Sequence, residues 1–280
     1  MNPLLARNKR QNSRNHGTMS RGHTNPIHII PIVNDDTNDW DWDLLERTGC
    51  FAVPASAEMK EFLVKIHDRY IGTGVSENEC SGRNRVHLDD LSQIIRLFIL
   101  DHREKHPFDN GYGFEEINVL LKEKLEKLWK MICDHYQIKN SLTEGVDSTG
   151  IHHYPQTKNA KQGLKGHIDS TLLVCNLATG PGLEVYYEGK WHDVYIENHM
   201  VVNIGFLGHL ISGLPPCIHR VKTVNYDRSV IVFSPGYSGS LNEFRVENLI
   251  RTFEECFDKL EINNEKDLAV FKDMIFSLAF

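Results

Sequence analysis

No run of about 18 consecutive apolar residues occurs in the sequence, and the most apolar stretch, Ile94 to Leu100, is interrupted by Arg96, so no membrane partner is expected. Positive charge is also short. Across 280 residues, 31 Lys and Arg face 38 Asp and Glu, a net charge of −7, which excludes a surface that coats nucleic acid. Cysteine is scattered: Cys50, Cys80, Cys133, Cys175, Cys217 and Cys256 show no paired short spacing. That excludes a zinc ribbon and a dense disulfide framework, and fits a reducing, cytoplasmic setting. The first residues lack the apolar core of a signal peptide, and no internal repeat is visible. What is present, 40% hydrophobic and 25% charged residues, is ordinary for a globular chain and excludes disorder as the main state.

Residues 1–26 hold Arg7, Lys9, Arg10, Arg14 and Arg21, no acid, and many Asn, Ser and Gly, and are read as a flexible basic arm. Their Arg-rich, acid-poor character also has the look of a mitochondrial presequence, although the apolar face is thin. The remainder, 27–280, is expected to form one unit. Ile27 to Val33 reads as its first strand. Met59, Phe62, Leu63 and Ile66 have helical spacing, and Ile117, Leu121, Leu125, Leu128, Ile132 and Tyr136 mark a long amphipathic helix from Phe114 to Tyr136. Its charge run, Lys122 to Lys130, is the solvated face of that helix.

Beyond Gly150 the period shortens to β-like runs punctuated by Gly, Pro, Asn and Asp, the pattern of a sandwich or barrel. Helical spacing returns after Asn242 through Phe253, Phe257, Leu260, Phe271 and Ile275. The expected layout is a mainly helical part at 27–150, a β core at 151–240 and C-terminal helices at 241–280.

His167-Ile168-Asp169 sets an imidazole and a carboxylate two apart on a predicted strand, where a period of two aims both at one face. With 15 His in the chain such a pair is expected by chance, and His87-Leu88-Asp89 is a second. There, Asp89 or Asp90 reads better as the cap of a helix opening the apolar run Leu91 to Leu100. The first pair gains weight from His219, in the predicted strand Ile218 to Val221. Two imidazoles and one carboxylate with open coordination positions are the facial set of non-haem Fe(II) oxygenases. Arg228 follows a turn-like Asn225-Tyr226-Asp227, and a hairpin of that length would return its planar guanidinium to the metal, suited to a carboxylate.

Here the sequence resembles the isopenicillin N synthase-like group of Fe(II)/2-oxoglutarate-dependent dioxygenases. The resemblance takes in, in order, Ile30-Pro31-Ile32-Val33, Thr48 to Val53, His153-Tyr154-Pro155, His167-x-Asp169, Gly182-Leu183-Glu184-Val185, Gly189 to Val194, Asn203-Ile204-Gly205 and His219-Arg220-Val221. It implies a mainly β fold with flanking helices, a double-stranded β-helix or jelly-roll core supported by N-terminal and C-terminal helices. It implies that His167, Asp169 and His219 bind Fe(II), that Arg228 pairs with the distal carboxylate of 2-oxoglutarate, and that Tyr154 contributes to the cosubstrate pocket. The reaction implied is O₂-dependent hydroxylation, desaturation or ring closure of a small molecule, with release of succinate and CO₂, by a monomeric enzyme. Because Asp169 is present, no ligand position is vacated for halide.

Two positions depart from the group. Val230 stands where its Arg-x-Ser element has the serine, and Phe206 where an Asp usually follows the Asn-x-Gly turn. The first leaves open a same-fold oxidase that does not use 2-oxoglutarate, and a non-catalytic binding protein is a further alternative against which the intact ligand trio speaks. Plainer readings stand beside the others. His219 could be a satisfied core histidine, Arg228 a surface cation and Tyr154 a core tyrosine. Tyr186, Tyr187 and Trp191 are expected to pack the sheet, and His152 and His153 to be exposed. Cys217 shares strand parity with His219, so it could face the cavity, though a buried free cysteine is commonly inert.

Overall fold

The computed structural model describes residues 29–34, 36–37, 39–73, 85–89, 94–99, 114–139, 142–154, 156, 163–241, 244–257 and 259–279. The basic arm, most of the loop between Gly72 and Arg85, and Cys80 lie outside them. Among the described residues the helices are α1 (Trp42–Thr48), α2 (Ala57–Thr73), α3 (Phe114–Tyr136), α4 (Phe206–Ser212), α5 (Val246–Phe257) and α6 (Glu265–Ala279). The longer strands are β1 (Cys50–Pro54), β2 (Arg85–Asp89), β3 (Ile94–Ile99), β5 (Ser148–Tyr154), β6 (Leu164–His167), β7 (Leu173–Ala178), β8 (Leu183–Tyr187), β9 (Lys190–Asp193), β10 (His199–Ile204), β11 (His219–Val221) and β12 (Arg228–Ser234). Of the two-residue strands, β4 (Thr143–Glu144) pairs with the distant β13 (Tyr237–Ser238), and β14 (Ser240–Leu241) with its neighbour β15 (Phe244–Arg245).

The strands form a seven-stranded antiparallel sheet, β1-β10-β7-β12-β5-β3-β2, and a four-stranded one, β6-β11-β8-β9. Alternation along β10 and β12 explains why neither reads as half polar. Val201 and Val230 face a core shared with Leu183, Val185 and Val221 of the small sheet, while Val202, Ile231 and Phe233 join the helical side. That outer layer is built by α2 and α3, whose Phe62, Ile66, Leu121, Leu125 and Leu128 pack on the large sheet. Helix α3 keeps the expected limits, with Glu115 and Glu116 in its first turn complementing the helix dipole. The architecture is thus mainly antiparallel β with flanking helices, the arrangement of a jelly roll with no closed barrel. Among the described residues no helix is long and apolar enough to cross a membrane, and Cys50, Cys133, Cys175, Cys217 and Cys256 are buried free thiols.

Two expectations change. Of the strand expected at Ile27 to Val33, the described residues from 29 on form only a parallel bridge from Ile32 to Ala52, framed by Val33 N–H donating to Ala52 O (2.8 Å) and Ala52 N–H donating to Pro31 O (2.8 Å). Pro31 has no N–H to extend the ladder. The segment around His87 and Asp89 is no helix start: β2 and β3 are a strand pair, and β3 goes on to pair with β5. Sheet pairing decides a short apolar run that periodicity alone leaves ambiguous.

The C-terminal helices form a third core, in which Phe253, Phe271 and Ile275 bury Ile168, Phe206 and Ile218. Helix α6 is also tied to α4. Lys272 Nζ lies 2.8 Å from His209 Nε2, and His209 Nδ1 donates to Leu214 O at 2.6 Å. With Nδ1 protonated, Nε2 must stay bare to accept from the ammonium, and burial, reinforced by the Lys272 charge, pushes His209 down to about 4. An unfolded histidine takes its proton near pH 6.5. The stability that neutral His209 contributes is therefore complete above about pH 6.5 and is lost as pH falls toward 4. In chemical denaturation followed across pH, His209→Gln should remove up to about 1.4 kcal/mol per pH unit of slope in that window. An unaltered slope would assign the acid sensitivity to other groups.

Candidate active site

Strands β6 and β11 are antiparallel neighbours with His167 directly opposite His219, and their ring centroids lie 4.1 Å apart. Asp169 sits just past the end of β6, so it shares no strand face with His167, contrary to the simple period-two expectation. What aims it is helix α4. The N–H groups of Phe206, Leu207 and Gly208, which have no partner within the helix, donate to the carbonyls of Asp169 (2.7 Å), Ser170 (3.2 Å) and Thr171 (3.3 Å). Gly205 makes this approach possible, since a Cβ there would lie 2.1 Å from Thr171 O. Asn203 Nδ2 then donates to Asp169 Oδ2 at 3.3 Å.

The ligand atoms of His167, Asp169 and His219 all lie within 4.8 Å of one another. Asp169 Oδ1 is 3.9 Å from His167 Nε2, and Oδ2 is 3.6 Å from His219 Nε2. His167 Nδ1 lies 2.8 Å from Lys165 O and His219 Nδ1 3.1 Å from Cys217 O. A carbonyl only accepts, so both Nδ1 atoms carry the proton and both Nε2 atoms turn lone pairs inward. Two lone pairs and a carboxylate, with both rings buried, fit a divalent cation bound by nitrogen and oxygen, and the set is that of a non-haem Fe(II) site.

Beside the trio is a cavity with about 360 Å³ of empty space, part of it open to solvent, lined among others by His152, Tyr154, Arg228, Val230 and Val232. Arg228 does not return by a hairpin. It opens β12 in the large sheet, across the core from β11. It is 1% exposed, its Nε donates to Gly180 O at 3.1 Å, and its guanidinium lies 5.2 Å from the Tyr154 ring centroid. Its Nη1 is buried with no hydrogen-bond partner. Burial lowers its pKa against the pull of Tyr154, Tyr226 and Asp193, and among the described residues no carboxylate pairs with it. A buried cation with a free donor toward a cavity is a receptor for an anion.

His152 and His153, expected to be exposed, are both buried. Period two explains their division: His152 shares the cavity face with Tyr154, whereas His153 points to the helical side. There Ser229 lies 3.0 Å from His153 Nδ1 and 2.9 Å from His67 Nδ1. Burial pushes His153 down to about 4 despite the Asp227 carboxylate. Ser229 is thus turned away from the cavity and cannot replace the serine absent at Val230. Phe206 packs on Phe253 (5.8 Å between centroids) and anchors the C-terminal helices. Cys217 is fully buried in the inter-sheet core, and Tyr186 and Trp191 pack edge to face. Asn203 was recognisable only as part of a turn motif, because its partner Asp169 is distant in sequence.

Residues 146–234 match the sequence model of the 2OG-Fe(II) oxygenase superfamily, so this part of the chain is a 2OG-Fe(II) oxygenase superfamily domain. The chain is accordingly an oxidoreductase of the Fe(II)- and 2-oxoglutarate-dependent kind, with O₂ as co-reactant. Among solved structures it is similar in fold to a putative oxygenase from Shewanella oneidensis (TM-score 0.63, 17% identity, 81% of this chain and 98% of that one). A full-length Neurospora crassa protein crystallised with alpha-KG and 5-formyluracil is also similar (TM-score 0.60, 17% identity, 78% and 88%). So is the dioxygenase for auxin oxidation 1 from Arabidopsis thaliana, solved with 2-oxoglutarate (TM-score 0.60, 17% identity, 76% and 94%). No curated protein matches the chain.

Because Asn203 orients the one carboxylate of the trio, Asn203→Ala should weaken metal binding by about 10- to 100-fold. Titration with Fe(II) under anaerobic conditions reads this, with thermal melting in parallel. Unchanged affinity would leave Asn203 a purely structural residue.

Proposed function

We propose that His167, Asp169 and His219 hold Fe(II), that Arg228 and Tyr154 hold 2-oxoglutarate, and that the enzyme hydroxylates, desaturates or cyclises a small organic molecule. The observation that carries this is the pairing of an inward-facing donor trio with a buried, incompletely bonded guanidinium on the same cavity. Fe(II) held there would supply O₂ activation, coupled to oxidation of 2-oxoglutarate to succinate and CO₂. The chain's own part is geometry and exclusion of water. Arg228 neutralises and orients the distal carboxylate, the Tyr154 ring backs the guanidinium, and Val230 and Val232 give the cavity an apolar wall along β12. Apolar walls there strengthen the ion pair by keeping the local dielectric low.

The substrate belongs in a second, larger space of about 990 Å³, counting the part open to solvent, which shares Asp169 and Val232 with the first. Its lining mixes apolar Val146, Val174, Leu207 and Ile250 with the hydroxyls of Ser234 and Thr171, themselves bonded at 2.6 Å. Such a wall suits a compact molecule with a few hydrogen-bonding groups. The 5-formyluracil bound by the Neurospora crassa protein is of that kind. Within the superfamily, the order of the elements from Ile30 to Val221 supports an isopenicillin N synthase-like enzyme, working as one unit over 27–280 and as a monomer.

O₂ consumption that depends on both Fe(II) and 2-oxoglutarate, with succinate formed, is the expected activity. Consumption without 2-oxoglutarate would instead mean an oxidase. His219→Ala should abolish iron binding and turnover together. Arg228→Ala leaves a carboxylate buried and unpaired, at about 3–5 kcal/mol if the clamp is fully buried, and so should weaken 2-oxoglutarate binding by about a hundredfold or more. Unchanged affinity in that variant would contradict the role given to Arg228.

A further inference from the structure

We infer that Asn176 is the second polar anchor of the cosubstrate, donating its side-chain amide to the carboxylate at the metal end of 2-oxoglutarate. This rests on the reading of the cavity as the 2-oxoglutarate site and assigns a residue that the resemblance does not supply.

Asn176 interrupts the apolar run of β7, and its Nδ2 is buried with no hydrogen-bond partner. An unmet buried donor is costly, and costs least where a ligand completes it. Asn176 lines the same cavity as Arg228, whose Nη1 is likewise an unmet donor, and His152, whose Nε2 is also buried without a hydrogen-bond partner. Register fixes how the two are spaced. Asn176 is the direct partner of Val232 on β12, and Arg228, Val230 and Val232 follow one another along the cavity face of that strand. Four residues of strand separate the two levels by about 13 Å between backbones, a gap the inward-reaching arginine and asparagine shorten from both ends.

Val232 and Asp169 also border the larger cavity, so the Asn176 level is the metal end and the Arg228 level the far end. Between them the β12 wall is Val230, which offers no hydrogen bond. Donors at both ends match a short dicarboxylate, with Val230 on one side of the middle and His152, its direct partner on β5, on the other. They also account for a site that tolerates Val230: the hydrogen bond absent beside the arginine is recovered at the opposite end.

Calorimetric titration of 2-oxoglutarate into Zn(II)-loaded protein tests this without turnover. Asn176→Leu, close in volume but without a donor, should weaken binding about tenfold, and Asn176→Asp, which sets carboxylate against carboxylate, by more. Metal affinity should be unchanged in the leucine variant. In unsubstituted, ¹⁵N-asparagine-labelled protein, the Asn176 side-chain amide pair should shift on addition of 2-oxoglutarate, a readout that does not depend on whether a variant folds. An unmoved amide pair, or a leucine variant that melts earlier yet binds 2-oxoglutarate normally, would overturn the inference. If Arg228→Ala nevertheless loses binding, the proposed function stands and only the role of Asn176 falls. If the unsubstituted protein binds no 2-oxoglutarate, both fall.

Discussion

Two imidazole lone pairs and a carboxylate meeting in a buried space are mutually repulsive, and the centre of this molecule is arranged around that conflict. Each histidine spends its Nδ1 proton on the backbone carbonyl two residues before it, so neither ring can turn without losing that hydrogen bond. Asp169 is held by the first turn of α4 and by Asn203. A divalent cation would relieve the repulsion, and the scaffold's contribution is to keep the donors converged.

Strand β12 divides the labour of the fold. One face presents Arg228, Val230 and Val232 to the cavity, and the other presents Ser229, Ile231 and Phe233 to the helical layer. Ser229 joins β12 to His153 of β5 and His67 of α2, so the strand carrying the guanidinium is fixed from behind. The C-terminal helices fix the metal side in the same manner: Ile168, between His167 and Asp169, is buried among them, and Ile262 N–H donates to Gly166 O at 2.8 Å.

The residue types that can hold a metal, and the order in which they occur, were legible in the sequence because the chemistry restricts them so tightly. So was α3, whose apolar spacing runs unbroken over six turns. Illegible features were those that depend on which segments become neighbours. The apolar run of β3 reads equally as helix until β2 and β5 flank it. The expected hairpin after His219 fails because the chain changes sheets between β11 and β12, which local turn residues do not specify. His152 is buried and not exposed, and its two-residue spacing from Tyr154 on one strand puts both on the cavity face. The hydrogen bond of Asn203 to Asp169, past the end of β6, and the level of Asn176, set by its register against β12, both depend on segments distant in sequence.

The central claim is that one buried site brings Fe(II) and a chelating keto acid together. Anaerobic addition of Fe(II) followed by 2-oxoglutarate, monitored in the visible range, tests it most directly. A broad metal-to-ligand charge-transfer band that saturates at one equivalent of 2-oxoglutarate, and is absent with succinate, is the result this account predicts. Iron bound by the protein without that band would contradict it.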